Sequence, residues 1–184
     1  MSIILNTSSE LKYSIANSIV SEYGISLERQ KIDIPEIQAM NTKDIVEYSL
    51  KIAYEQIKKP VIVTDTGYSI RALGGFPGPY VKWINKMLQP QNILAMMDGV
   101  EDRRIEIIEY LGYCDKKGET HIFENKEVAT ISSAVSEGDG NMFDRIIIRE
   151  GMSTIQADTD REIMQEFFKN KLVIWHDFAK SLTL

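Results

Sequence analysis

Asp65 ends the β-branched run Val61-Ile62-Val63-Thr64 and opens a glycine-punctuated stretch, residues 67–78, that is followed by Lys82. A carboxylate in that position can hold a divalent cation. The small residues Thr66, Gly67, Gly74 and Gly75 let the backbone approach a ligand closely, and the Lys82 ammonium can neutralise phosphate charge. In α/β sheets ligands collect at the carboxyl ends of strands, so this order of residue types fits a phosphate and metal site. Lys82 can equally be a solvated lysine on an amphipathic helix.

A second set stands near the N-terminus. Thr7, Ser8 and Ser9 follow a short apolar run and precede a helical pattern, which places hydroxyls and free N–H groups at the positive end of a helix. Lys12, one turn in, can reach a phosphate as a point charge. Thr7-x-x-Glu10 is also a capping-box pattern, and the two readings are compatible. Glu36 after Pro35 reads by itself as a solvated turn residue. Phe143 either offers a ring face for stacking or sits in the core at a strand start.

The elements that must position these residues follow from periodicity and punctuation. Residues 2–6 read as a strand, and Leu11, Ile15, Ile19 and Val20 mark the buried face of a helix. Residues 30–34 read as a second strand closed by Pro35, and 41–58 as a helix with Ile45, Ile52 and Ile57 inward, stopped by Pro60. Residues 61–63 read as a core strand. Two short helices follow at 80–88 and 90–97, with Pro90 suited to a first turn. Strands are predicted at 103–114, 120–123, 128–135 and 145–149, with a hairpin turn at 115–118 and a flexible loop at 136–141. Helices at 160–169 and 174–182 end the chain. A strand–helix–strand start followed by antiparallel strands gives an α/β class with a mixed sheet.

Composition narrows the function classes. With 184 residues the chain has room for one domain or two tightly joined lobes, and a net charge of −6 argues against non-specific binding to nucleic acid or anionic membrane. The single cysteine, Cys114, excludes an intramolecular disulfide, and neither a signal pattern nor a membrane-length apolar run is present. A cytoplasmic protein is the expectation. His121 reads as a structural strand residue.

The segment Leu73-Gly74-Gly75-Phe76-Pro77-Gly78-Pro79-Tyr80-Val81-Lys82-Trp83 resembles the Leu-Gly-Gly-x-Pro-Gly-Pro-Tyr-x-Lys-Trp motif of the inosine triphosphate pyrophosphatase family, in its eukaryotic and archaeal form. The resemblance covers nearly the whole chain in order. Thr7, Ser8, Ser9 and Lys12 match the family's Thr-Gly-Asn-x-x-Lys, which holds the triphosphate. Asp33-Ile34-Pro35-Glu36 matches Asp-x-Pro-Glu, and Asp65-Thr66-Gly67 matches the second acid onward of an acid-Asp-Ser/Thr-Gly motif.

The resemblance implies that Glu36 and Asp65 hold Mg2+, that Asp65 activates water, and that Thr66, Gly67, Lys82 and Lys51 serve the substrate. Phe143-Asp144 stands where an aromatic ring stacks on the purine and an aspartate follows. Lys171, His176 and Asp177 stand in the place of Lys-Asn-x-x-Ser-His-Arg, which reads the base edge. Implied too are an elongated two-lobed fold with a central mixed sheet flanked by helices, a single domain over 1–184 with a central cleft, and a homodimer, to which the region of Leu88, Met96 and Met97 contributes. The implied reaction is release of pyrophosphate from inosine, deoxyinosine or xanthosine triphosphate.

Three departures are visible. Thr64 replaces an acid, which weakens or repositions the metal. Trp175 replaces a serine and Asp177 an arginine, and an ionised carboxylate cannot donate to a 6-oxo group. Two rivals follow from them: a pyrophosphatase of the same fold for other modified nucleotides, and a nucleotide-binding paralogue with little turnover.

Overall fold

The computed structural model of the chain describes residues 2–183. Its secondary structure is β1 (Ser2–Asn6), α1 (Glu10–Ser21), β2 (Ser26–Gln30), α2 (Thr42–Ile57), β3 (Val61–Ile70), β4 (Phe76–Gly78), α3 (Val81–Met87), α4 (Pro90–Met96), β5 (Arg104–Cys114), β6 (Thr120–Ile131), β7 (Ile147–Ile148), α5 (Arg161–Lys171) and α6 (Val173–Thr183). Seven strands form one sheet in the order β2-β1-β3-β5-β6-β7, with β4 beside β3. Pairings β1–β2 and β1–β3 are parallel, whereas β3–β4 and β6–β7 are antiparallel, so the sheet is mixed as expected. The chain divides into two compact units: one holds residues up to Asp65, Glu109–Asn125 and everything from Gln165, and the other holds Thr66–Ile108 and Lys126–Met164.

In the first unit the alternation of strand side chains builds two cores. Ile3 and Leu5 of β1 and Ile62 of β3 pack with Ile19 and Val20 of α1 and Phe178 of α6. Ile4, Val61 and Val63 point the other way, into a cluster with Val46, Leu50 and Ala53 of α2. Both faces of these parallel strands are thus covered, which is why they read as unbroken apolar runs. Trp175 is 4% exposed and meets Phe178 edge to face with centroids 6.3 Å apart. The tryptophan is therefore a core residue of this unit.

Helix α2 approaches β5 closely at Gly112. A Cβ there would stand 2.8 Å from Val46 Cγ1, 3.1 Å from Leu50 Cδ2 and 3.3 Å from Ile122 Cδ1. Val46 is β-branched and stiff at χ1, so it cannot swing aside. Gly112→Ala is expected to destabilise the fold by about 1–3 kcal/mol through overpacking. Urea titration of both proteins checks it, and an unchanged midpoint would show that the helix shifts freely.

The core of the second unit gathers Tyr68 and Ile70 of β3, Ile93, Met97, Ile105 and Ile107, Ala129 and Ile131, and Phe143, Ile146 and Ile147. Tyr68 and Phe143 stack with centroids 4.6 Å apart and planes 11° from parallel.

Several boundaries differ from the sequence reading. The second strand is Ser26–Gln30 rather than 30–34, because β1 pairs with it from Ser2↔Ser26 to Asn6↔Gln30 and then runs out. Beyond Gln30 the chain is held instead by the Asn6 side chain, whose Oδ1 accepts from Ile32 N at 2.8 Å. The strand expected at 61–63 extends to Ile70, and those at 120–123 and 128–135 are one strand, β6. The strand at 145–149 shrinks to two residues. Leu11 is 53% exposed, so the buried face of α1 consists of Ala16, Ile19 and Val20. Met97 is fully buried, which removes it from any interface, while Met96 is 40% exposed. Among the described residues no helix is long and apolar enough to cross a membrane.

Candidate active site

The first unit brings three of the predicted segments to one end of its parallel strands. Chain leaves β1 at Asn6, β2 at Gln30 and the first half of β3 at Asp65, all running the same way. The register Ile4↔Val61 and Leu5↔Ile62, carried on by two residues, sets Thr7 level with Thr64. Thr7 N donates to Gln30 O at 3.2 Å, and the Asn6 side chain fixes Ile32. Gln56 Nε2 of α2 donates to Asp33 O at 3.1 Å, which ties the segment leading to the exposed Glu36 against α2. Thr7–Lys12 and Asp65 therefore lie just beyond the level at which β1 and β2 end, a place where α/β sheets bind ligands, and the Glu36 segment leaves β2 from that same end.

The helix start is built differently from a Thr7–Glu10 capping box. Ser9 is the N-cap: its Oγ accepts from Lys12 N at 3.3 Å, and Thr7 Oγ1 accepts from Ser9 N at 3.1 Å. Glu10 instead pairs with Arg29 Nη1 at 2.9 Å. Arg29 Nη1 also lies 3.5 Å from Ser8 O. The Thr7-Ser8-Ser9 turn is thus hydrogen-bonded locally, and Arg29 adds a positive charge beside it. Sequence reading missed this arginine, because β2 had been placed four residues too late for Arg29 to count as a strand residue next to β1.

Asp65, Thr66 and Gly67 lie in the middle of the ten-residue β3 instead of at its end, with Asp65 and Thr66 half-buried and Gly67 buried. The strand continues because the glycine segment folds back on it. Arg71–Leu73 forms one 3-10 turn, and Gly74 and Gly75 adopt φ of 64° and 93°, which favours glycine. The return strand β4 pairs Ile70↔Phe76, Ser69↔Pro77 and Tyr68↔Gly78. Within the second unit this hairpin brings the chain back along β3 and into α3, on which Lys82 is exposed with its Nζ 5.8 Å from the Trp83 ring centre.

Lys51 is placed elsewhere in the first unit. It lines a half-open cavity of about 600 Å³ between α2 and the β5–β6 hairpin, with Glu47, Tyr54, Lys58 and Cys114 among its neighbours. None of the strand-end residues lines that cavity. Burial pushes the Cys114 thiol above its ordinary pKa, which disfavours the thiolate form.

At the C-terminus, His176 has both ring nitrogens engaged. Nε2 donates to Lys169 O at 3.1 Å, so Nδ1 accepts from Tyr23 Oη at 3.0 Å. Lys169 in turn pairs with Glu22 at 2.6 Å. These contacts clamp α6 to the end of α1. Lys171 and Asp177 are exposed.

In the second unit Phe143 is fully buried, and Tyr68 covers one ring face. That is the core reading of Phe143. As placed, the ring has no face to offer a base without repacking.

Asp144 is half-buried and its two oxygens are both occupied: Oδ1 accepts from Gln156 Nε2 at 2.7 Å and Oδ2 from Asn141 N at 2.9 Å. Burial raises its carboxyl above the usual value, opposed by the Asn141 hydrogen bonds, the Arg149 charge and the Gln156 bond. The 136–141 loop, expected to be flexible, is pinned. Ser136 N donates to Arg145 O at 2.9 Å, Gly138 N to Ser136 Oγ at 2.8 Å, and Ser136 Oγ to Asp158 Oδ1 at 2.5 Å.

Comparison with known proteins identifies the family. The Ham1 family pattern matches residues 3–168. A protein of Methanopyrus kandleri named dITP/XTP pyrophosphatase is 34% identical over 158 residues, covering 86% of this chain and 84% of the relative. Inosine triphosphate pyrophosphatase 2 of Trypanosoma cruzi is 38% identical over 90 residues, 49% of this chain and 46% of the relative. In three dimensions a HAM1 protein from Coxiella burnetii superposes with a TM-score of 0.83 at 16% identity, covering 100% of this chain and 98% of that one, a likeness of fold. The matched pattern spans the strand-end segments, the glycine hairpin and the Phe143-Asp144 loop, and the chain belongs to the Ham1 family.

Proposed function

We propose that the chain is a Mg2+-dependent nucleoside triphosphate pyrophosphatase that converts non-standard purine triphosphates, those of inosine, deoxyinosine and xanthosine, to the monophosphate and pyrophosphate and so cleanses the nucleotide pool. The observation that carries this reading is that Thr7–Lys12 and Asp65 lie together just beyond the ends of the parallel strands β1 and β2, with the Glu36 segment leaving β2 from the same end. The names of the M. kandleri and T. cruzi relatives support the substrate class.

The donor set suits a metal carried in by the substrate. Among the described residues no group of three or more acidic, His or Cys side chains is placed to hold an ion. Glu36 and Asp65 supply two carboxylates, and Mg2+ is commonly held by one or two carboxylates together with substrate phosphates. When bound, the cation neutralises phosphate charge and favours departure of pyrophosphate.

The chain's own residues do the rest in this reading. The N–H groups and hydroxyls of Thr7, Ser8 and Ser9, with Lys12, bind the triphosphate; Thr66, Gly67, Lys82 and Lys171 serve the substrate further. Asp65 takes a proton from water as the water oxygen attacks the α-phosphorus, and the bond from that phosphorus to the bridging oxygen breaks. Hydrolysis in 18O-labelled water tests the step: the label is expected in the monophosphate, and label in pyrophosphate would contradict it. The reading extends to a cytoplasmic homodimer, which sedimentation at working concentration checks.

A second reading keeps the chemistry and changes the base. It is favoured by His176, whose ring nitrogens are both taken, and by the exposed carboxylate Asp177 in place of a donor. Turnover with other modified nucleotides and none with inosine or xanthosine triphosphate would select it.

Thr64 bears on whether turnover is weak. Thr64→Glu adds a carboxylate beside Asp65 and is expected to raise kcat by about tenfold at limiting Mg2+. A steady-state titration with the metal reads it, and an unchanged rate would show that Glu36 and Asp65 suffice.

A further inference from the structure

Within the first unit, helix α2 meets the β5–β6 hairpin at two places. The first is Gly112, where the missing side chain lets Val46 and Leu50 come close. The second is the hairpin tip. A Cβ on Gly118 would lie 3.3 Å from the Tyr54 ring, and Tyr54 Oη donates to Lys116 O at 3.4 Å. The tip is itself held, because Asp115 Oδ1 accepts from Lys117 N at 2.7 Å and from Glu119 N at 2.9 Å. The cavity of about 600 Å³ is lined by Leu50 of the first contact and by Tyr54 and Gly118 of the second. Helix and hairpin are thus pinned on either side of a hollow, which is preformed and falls within the range of about 300–1,000 Å³ usual for small-molecule sites.

Its lining sorts into an apolar floor and a charged rim. Leu50 and Cys114 are buried and Ile122 half-buried. Lys51, Tyr54 and Lys58 follow at i, i+3 and i+7 on one face of α2, so two exposed ammonium groups flank a phenol ring along the helix. Glu47 also lines the cavity, but Lys43 meets its charge at 3.7 Å, which leaves Glu55 against two lysines. Lys58 has a φ of 49° at the C-cap of α2, a left-handed position that favours glycine. Its ammonium lies 5.4 Å from the Tyr54 ring centre. A lysine held in that backbone conformation beside a cavity points to a task for its side chain.

We propose that this cavity binds a small aromatic anion, its ring on the floor of Leu50, Cys114 and Ile122 and its acid group between Lys51 and Lys58. None of the strand-end residues lines it, so the proposal goes beyond the pyrophosphatase reading and does not depend on it.

The test titrates the 15N-labelled full chain with naphthoate, naphthyl phosphate, the neutral naphthalene methanol and inorganic phosphate. Amide shifts are read at Tyr54, Cys114 and Gly118, and calorimetry gives each Kd. Both aromatic anions are expected to shift these amides saturably, and the tighter of the two identifies the acid as carboxylate or phosphate. The neutral alcohol and inorganic phosphate are expected to bind at least about tenfold more weakly, since each lacks one half of the recognition. Lys51→Met keeps the stem, and Lys58→Gly relaxes the strained backbone; each is expected to weaken the anions about fivefold. Lys58→Gly is also expected to melt no lower than the native chain, so its loss of affinity cannot be a loss of fold. No saturable shift at the three amides with either anion, equal binding of the neutral alcohol, or unchanged affinity in both lysine variants would overturn the proposal. Turnover of triphosphates is measured apart, and its failure would leave the cavity proposal standing.

Discussion

Asp65→Asn is expected to lower pyrophosphate release by about a thousandfold or more, the scale of losing a positioned general base. Asparagine keeps the shape of the half-buried side chain on β3 and removes both its charge and its ability to take a proton. The carboxylate is also one of only two acids offered to the cation in this reading, so the variant loses metal affinity as well. Circular dichroism and melting should change little, because β3 is held between β1 and β5 and is paired by the β4 return as well. Single-turnover rates at saturating Mg2+ measure the effect. A rate within threefold of wild type would remove Asp65 from the chemistry.

Arg149→Met is expected to destabilise the fold by about 3–5 kcal/mol, the cost of removing one partner of a buried ion pair. Methionine fills much of the arginine volume, so cavity formation is a minor part of the loss. The larger part is Glu127, which is left charged at 10% exposure with its Oε1 already lacking a hydrogen-bond partner. At 184 residues this corresponds to a fall in Tm of roughly 10 °C. The double variant Arg149→Met with Glu127→Leu is expected to recover most of it, since two apolar residues replace a buried pair at little or no cost. Differential scanning calorimetry of the two proteins decides the matter. A single variant as stable as wild type would mean that Glu127 reaches water or protonates at no cost.

Much of the fold was legible because local signals and tertiary packing agree. The apolar run at 2–6 pairs over its full length, Pro90 starts α4, and Asn41 caps α2 with its Oδ1 accepting from Asp44 N at 2.8 Å. What failed was set by partners distant in sequence. Residues 31–34 carry strand-like alternation, yet β1 has ended by then and leaves them nothing to pair with. Thr64 to Gly67 look polar and loop-like, yet the glycine turn returns β4 alongside β3 and keeps it extended to Ile70. The 136–141 loop has a flexible composition, but Gly138 and Gly140 are there because other backbone and Asp144 press against them.

The site divides the same way. Thr7 to Lys12 follow β1 as the sequence suggests, whereas Asp65, expected at a strand end, lies in the middle of β3. Phe143 could not be placed from sequence, since an aromatic at a strand start serves a ligand or a core equally well and only its contact with Tyr68 decides. Gln156 and Arg149 gave no motif. The one available signal was an arginine closing an isoleucine run, which needs a buried acid somewhere to balance it. Tyr23 escaped notice because its partner, His176, lies 153 residues away.

The central claim is tested most directly by incubating pure protein with Mg2+ and a panel of triphosphates while scoring pyrophosphate and orthophosphate separately. The account predicts pyrophosphate, without matching orthophosphate, from inosine or xanthosine triphosphate, and little product from ATP or GTP. Orthophosphate as the first product, or no turnover of any nucleotide, would contradict it.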